Sequence, residues 1–372
     1  MKKIRIVLFS ALAFTTSQAQ SKFNLLVGTY TNTCQSNGIY VYEFDAVSGS
    51  FTLKNSTENE NVLSPSYLSV SADNKFIYAV NENGTQSTVS AFGYNSAKGK
   101  LTFLNKNNSL GADPCHLIND DKNVIVANYS GGSIAVFKKN ADGSITEAQQ
   151  LIQHEGKGPN EARQEKAHVH MVVFSPDKKF VLSNDLGQDK VFIYKYNASA
   201  KHEMLTLKST VDVKKGSGPR HLTFSKDGKF VYLLQELDGT LTTFSYDKTG
   251  KLKLLKETNI IPKDFKGANS SAAIKISPDG KFLYVSDRGD VNMISVYKIA
   301  KTGGLELVEQ VSTQGKGPRD FAIDPSGNYL LAGHQYTNNI IIFKRDKITG
   351  KLKDTGKKIE LCSPVGLLFT KI

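Results

Sequence analysis

Three cysteines in 372 residues, Cys34, Cys115 and Cys362, are too few for a disulfide framework. Cys34 and Cys362 stand at opposite ends of the chain, where a closed ring would bring them together and permit one bridge. A separate buried thiol at each of the three positions is the simpler expectation. There is no Cys-x-x-Cys and no His-Glu-x-x-His, so no zinc site is expected, and the chain is expected to work without metal or cofactor. No run of Lys and Arg interleaved with aromatics occurs, which argues against nucleic acid as a partner. Nothing carries a period of 3.6 for long enough to make a substantial helix, and no linker divides the chain.

Only one long apolar stretch is present, residues 6–14, and it is short of the ~20 residues of a membrane span. It follows Lys2, Lys3 and Arg5 and precedes Ser17-Gln18-Ala19. A positive start, an apolar centre and small residues at the end are the marks of a secretory signal peptide. Residues 1–19 are therefore expected to be removed, and residues 20–372 to form one exported domain, periplasmic or in the cell envelope. The formal net charge of +12 becomes +9 once Lys2, Lys3 and Arg5 are subtracted. A moderately basic surface attracts anionic small molecules or polymers.

What the chain has in abundance is a repeat. Residues 216–245, GSGPRHLTFSKDGKFVYLLQELDGTLTTFS, read as three short strands separated by Lys-Asp-Gly and Asp-Gly turns. Variants recur at PSYLSVSADNKFIYAVNE, PCHLINDDKNVIVANY, VHMVVFSPDKKFVLSNDLG, SAAIKISPDGKFLYVSDRG and GPRDFAIDPSGNYLLAGHQ. Each is followed by a third strand ending in an aromatic and by a fourth beyond a polar turn. The aligned first-strand positions are Ser66, Cys115, His170, Arg220, Ala272, Arg319 and Val365, so the steps are 49, 55, 50, 52, 47 and 46 residues. A four-stranded unit of about 40–50 residues is a propeller blade.

The termini complete the count. Residues 23–44 supply a second and third strand without a first, and SPVGLLF at 363–369 supplies a first strand with nothing after it. Joined, they make one blade and leave no open sheet edge. The expected fold is all-β: a seven-bladed β-propeller of four-stranded antiparallel blades, closed by N- and C-terminal strands sharing one blade. The polar segment at residues 153–166, QHEGKGPNEARQEK, is expected to lie over the mouth of the channel, as rim loops do.

In such a blade the start of the first strand meets the end of the second on one face of the ring. That rim should collect His168, His170, Arg220, His221, Glu236, Asp287, Arg288, Arg319, Asp320 and His334. Part of this set, Asp287 or Asp320 for instance, is expected only to tie blades together. The rest mixes arginines, which suit planar carboxylate or phosphate, with groups that handle protons near neutrality. Such a mix suits an anionic substrate undergoing acyl-type hydrolysis or proton transfer, with arginine able to hold a developing oxyanion.

The blocks HVHMVVFSPDKKFVLSNDLGQDKVFIYKY, GPRHLTFSKDGKFVYLLQE, SDRGDVNMISVYK and GPRDFAIDPSGNYLLAGHQ resemble the seven-bladed lactonase family. That family groups propeller-type 6-phosphogluconolactonases with fungal carboxymuconate-lactonising enzymes, and the likeness runs from VGTYT at Val27 to SPVGLLF. The HxH and PRH…E spacings are its specific part. The family commonly has Asn at positions where this chain has Asp287 and His334. The resemblance implies a catalytic set of His170, Arg220, Glu236 and Arg288. His168, His221, Arg319 and His334 are expected to bind substrate, a small anionic lactone or sugar acid. On this reading Arg220 and Arg288 hold the anionic group or the lactone carbonyl, and Glu236 or His170 takes a proton from water. The protein is expected to be a monomer or weak dimer. A binding propeller without catalysis and a lactone-forming cycloisomerase are the alternative functions.

Overall fold

The turn that recurs in the sequence also closes each hairpin. In blade five the Ser225 hydroxyl donates to Asp227 at 2.6 Å and accepts the Phe230 amide at 2.9 Å. Gly228 sits between them at φ 70°, in the left-handed region that glycine enters without a Cβ clash. The same Ser–Asp clasp occurs at Ser71, Ser175 and Ser277. These local bonds set the register of the strands on either side.

The computed structural model describes residues 21–57 and 62–372; the expected leader at residues 1–19 lies outside the described residues. The described residues form seven four-stranded antiparallel sheets. Blade five is typical: Pro219–Phe224, Phe230–Gln235, Thr240–Tyr246 and Leu252–Asn259. Six blades, numbered two to seven along the chain from Tyr67–Val70 onward, take their strands in order. Blade one has Pro364–Lys371 as its first strand, beside Lys22–Thr29, with Gly28 opposite Gly366. The closed ring expected from the termini is present.

Second strands are buried on both faces, so they read as continuous apolar runs rather than alternating ones. Leu25 and Val27 pack toward blade seven while Leu26 packs toward blade two. Each of the seven hydrophobic clusters draws its side chains from two adjacent sheets. A fully buried Val or Leu contributes about 1.5–3 kcal/mol, and here that energy holds sheet against sheet around the ring. The outermost strands face solvent along most of their length, as in Leu252–Asn259.

One expectation is corrected. Cys34 and Cys362 are not separate thiols but a disulfide, with Cα atoms 5.9 Å apart. Ring closure is the cause: the Tyr30 amide donates to the Ser363 carbonyl at 3.1 Å, which brings the loop after the chain's first strand against the lead-in to its last. Cys115 alone remains a buried free thiol. Among the described residues no helix is long and apolar enough to cross a membrane.

Candidate active site

Most first strands begin with an irregularity. In blade four Val169 faces Asp185 and Met171 faces Asn184, which leaves His170 without a partner position. The same skip leaves Arg220 in blade five, Arg319 in blade seven, Cys115 in blade three and Val365 in blade one. Blade six skips Ala272 and Ala273. An inserted residue of this kind is a β-bulge, which re-aims one side chain out of the ladder. His170, Arg319 and Cys115 thereby enter the wall of one cavity of about 350 Å³ at the mouth of the ring.

A second position per blade is the residue just past the second strand. Tyr30, Glu82, Tyr129 and Glu236 each donate their amide to the carbonyl two residues before the aligned first-strand position, namely Ser363, Ser64, Asp113 and Gly218. Their side chains line the same cavity, as does Arg288. The residue just before this position stays within the sheets. Asn128 bonds Ser133 at 3.0 Å, Gln235 bonds Thr242 at 3.0 Å, and Asp287 accepts the Ser271 hydroxyl at 2.6 Å.

Glu236 is the centre of the site. One carboxylate oxygen accepts Arg163 at 2.6 Å. The other accepts Arg220 Nε at 3.0 Å and lies 3.3 Å from Arg288 and 3.8 Å from His170 Nε2. His170, Arg220, Glu236 and Arg288 are thus brought together, although they come from three different blades. Arg220 lies beneath the cavity floor, 2% exposed, and spends its other donors on the Ala272 carbonyl and the His221 ring. Burial by itself would raise the Glu236 carboxyl. The guanidinium groups of Arg288, Arg220 and Arg163 more than offset it and hold the carboxyl well below the usual carboxylate range. His170 is pushed well below the usual imidazole range, first by burial and then by Arg220, so its ring is neutral.

On another part of the wall, Tyr30 donates to Glu82 at 3.1 Å from either oxygen, and Arg319 stands 3.8 Å from the same carboxylate. The Arg319 guanidinium lies 5.4 Å over the Tyr30 ring. Burial raises the Glu82 carboxyl, opposed by Arg319 and by Tyr30.

Of the remaining expected residues, one lines the cavity and the others fall elsewhere. Arg319 lines the cavity. His221 lies deeper, its ring 5.1 Å from His170 and 5.4 Å from His116, and His116 is pushed down to about 3 by burial and Arg220. His168 stacks on the back of Tyr129 at 4.6 Å and bonds Glu165. His334 ends its second strand and is buried beneath Gly315, in the position whose counterparts serve the sheet. His334 is outside the cavity wall because a shift of one residue along a strand turns a side chain to the opposite face, and His168 because it precedes its strand, Val169–Phe174. Asp320 is an inter-blade tie, accepting Lys275 at 2.8 Å and the Leu367 amide at 2.9 Å.

Sequence reasoning missed Arg163, Tyr30, Glu82 and Tyr129. The last three occupy the register of Glu236 and Arg288, a signal that was available. Arg163 had none, because nothing local says which residue of the 153–166 segment turns inward. Its neighbour Gln164 anchors that segment, bonding the Leu186 carbonyl at 2.8 Å and Asp189 at 2.7 Å. Among the described residues no group of three His, Cys, Asp or Glu side chains could hold a metal ion.

The wall carries three guanidinium groups, Arg163, Arg288 and Arg319, with Arg220 beneath against Glu236, facing the carboxylates of Glu82, Asp113 and Glu236. Such a cavity attracts an anion and can stabilise negative charge on an acyl oxygen. Comparison with known proteins agrees. The family described as "Lactonase, 7-bladed beta-propeller" matches residues 24–369. A protein of Bacillus subtilis named 6-phosphogluconolactonase is 35% identical over 353 residues, covering 94% of this chain and 99% of its own. A Formosa agariphila protein of the same name is 36% identical over 336 residues, covering 88% and 94%. The solved structure of the periplasmic gluconolactonase of Pseudomonas aeruginosa is 34% identical with a TM-score of 0.90, covering 95% of this chain and 100% of that one.

Proposed function

The chain belongs to the lactonase family of seven-bladed β-propellers, and on that premise we propose that it is a carboxylic-ester hydrolase that opens a sugar lactone, with the 6-phospho-D-glucono-1,5-lactone of its relatives or the unphosphorylated lactone as substrate. The observation that carries this reading is the grip of three guanidinium groups on Glu236 at the floor of an arginine-lined cavity. A propeller built only to bind a partner gains nothing from gathering a histidine, a carboxylate and four arginines at one mouth.

In this reading Arg288 faces the lactone carbonyl and stabilises the oxyanion that forms when water adds to the ring ester. Arg163 and Arg319 hold the anionic or hydroxyl-rich remainder of the substrate. Arg220 positions Glu236 from beneath. Glu236 stays ionised, keeps the arginines in place and accepts hydrogen bonds from substrate hydroxyls. Surrounded by cations, it is a weak proton acceptor. His170, neutral through the physiological range, orients the water. Hydrolysis of 6-phosphogluconolactone and gluconolactone, corrected for spontaneous opening, tests the assignment. Replacing Arg288 or Glu236 by Ala should lower kcat/KM by about 10²–10³-fold; unchanged rates in both variants would sink it.

We further infer that the mature protein works outside the cytoplasm. The composition of residues 1–19 supports this, as does the Cys34–Cys362 disulfide, a bond that persists in oxidising compartments. A periplasmic relative supports it too. Fractionation of cells expressing the full chain, followed by N-terminal sequencing of the protein recovered, tests it.

A further inference from the structure

Resting on the lactonase reading, we propose that Glu82, assisted by Tyr30, is the group that takes the proton from the attacking water and returns it to the leaving ring oxygen. Glu82 and Glu236 occupy equivalent places in their blades, each one residue past its second strand and each pinned by its amide. Both line the same cavity. Their surroundings differ in the way that separates a proton carrier from a fixed charge. Glu236 lies within 3.3 Å of three guanidinium groups. Glu82 receives a phenol at 3.1 Å, and Arg319, the one cation within 4 Å of it among the described residues, stands back at 3.8 Å.

The groups facing Glu82 come from three blades. Tyr30 of blade one stays protonated because burial, its largest cause, raises the phenol well above its ordinary range. It therefore donates to Glu82 and steadies the carboxylate form. Arg319 of blade seven also favours that form. Asp113, on the approach to blade three, opposes it with like charge. Cys115 of blade three is held as a neutral thiol, chiefly by burial. Burial is the largest influence on Glu82 and raises its carboxyl, which makes it the more basic of the two glutamates.

The step balances without a co-reactant. Water oxygen bonds the lactone carbonyl carbon as one water proton passes to the Glu82 carboxylate. The carbonyl electron pair moves onto oxygen, facing the Arg288 guanidinium. When the pair returns, the bond from that carbon to the ring oxygen breaks, and the ring oxygen takes the proton from Glu82. The product is the open hydroxy acid, which ionises into solvent, and Glu82 is again a carboxylate.

The test is the pH profile of lactone opening by wild type, Glu82→Gln and Tyr30→Phe, on gluconolactone and 6-phosphogluconolactone, with melting temperature as the control for folding. Wild-type kcat/KM should rise with pH along an acidic limb above the ordinary glutamate range. Glu82→Gln should lower kcat by about 10²–10⁴-fold and abolish that limb, with little change in KM. Tyr30→Phe removes a donor to the charged form and should move the limb to higher pH. If Glu82→Gln fails to fold, Tyr30→Phe decides alone. A Glu82→Gln enzyme with the wild-type rate and limb overturns the inference while leaving the lactonase reading intact, and so does a Tyr30→Phe enzyme whose limb does not move. Failure of wild type to open either lactone overturns both.

Discussion

At the scale of single residues, the site turns on how many cations each carboxylate meets. Arg163 is the clearest case of a contribution from outside the blades. Its side chain is 40% exposed and spans from Tyr129, 3.3 Å away, to Glu236. Solvent screens the Arg163 end of this pair, and Glu236 keeps two other guanidinium partners, so its contribution to folding is about 1 kcal/mol, yet its charge faces the site. Arg163→Ala should therefore keep its denaturation midpoint close to wild type while kcat/KM for an anionic lactone falls roughly 10–100-fold, within the range for a lost electrostatic donor. Parallel chemical denaturation and steady-state kinetics separate the two effects. An equal loss of stability and activity would make Arg163 a structural strut instead. Arg220 is the opposite case: a buried partner whose removal strands Glu236 among other charges, with the folding cost typical of a broken buried pair.

At the scale of the element, the bulge decides the chemistry. A regular first strand would send His170, Arg220 and Arg319 into the sheet interfaces, where a charge has no partner. The skipped position lets a polar residue sit in an otherwise apolar strand. The close approach of neighbouring strands at the ring's mouth is equally demanding. A Cβ added at Gly28 would lie 2.0 Å from the Pro65 carbonyl oxygen, a backbone atom that cannot swing aside. Gly28→Ala should cost on the order of 3 kcal/mol through overpacking, read as a shift in urea midpoint; a variant as stable as wild type would mean blade two slides freely against blade one. The strand pattern was legible from alternation and turn residues. The pairing of His170, Arg220, Glu236 and Arg288 was legible because two aligned positions per blade face the mouth. His334 misled because it lies one residue short of such a position, and His168 because it precedes its strand, differences that composition does not reveal.

At the scale of the whole molecule, closure is the governing event. Blade one exists only when the last strand, Pro364–Lys371, joins Lys22–Thr29, and the cluster joining blades seven and one contains Leu367 beside Leu25 and Leu331. The Cys34–Cys362 disulfide locks this seam across 328 residues of chain. Loops that long gain most from a cross-link, so its loss should cost about 2–5 kcal/mol, or ~3–7 °C in melting temperature for a chain of this size. Calorimetry of Cys34→Ser, or of wild type under reductant, reads this directly. An unchanged melting temperature would show that hydrogen bonds and packing close the ring unaided.

The blades, their number, the split blade at the termini and the polar rim followed from the sequence by itself, because each rests on local periodicity, turn residues and a repeat that one chain displays in full. Which side chains meet was decided only in three dimensions. The inward turn of Arg163, the cation count that sets Glu82 apart from Glu236, the retreat of His168 and His334 from the cavity and the joining of Cys34 to Cys362 all depend on distances between segments far apart in the chain. Local pattern governs how a strand forms; charge, burial and ring closure are properties of neighbours, and neighbours are assigned by packing.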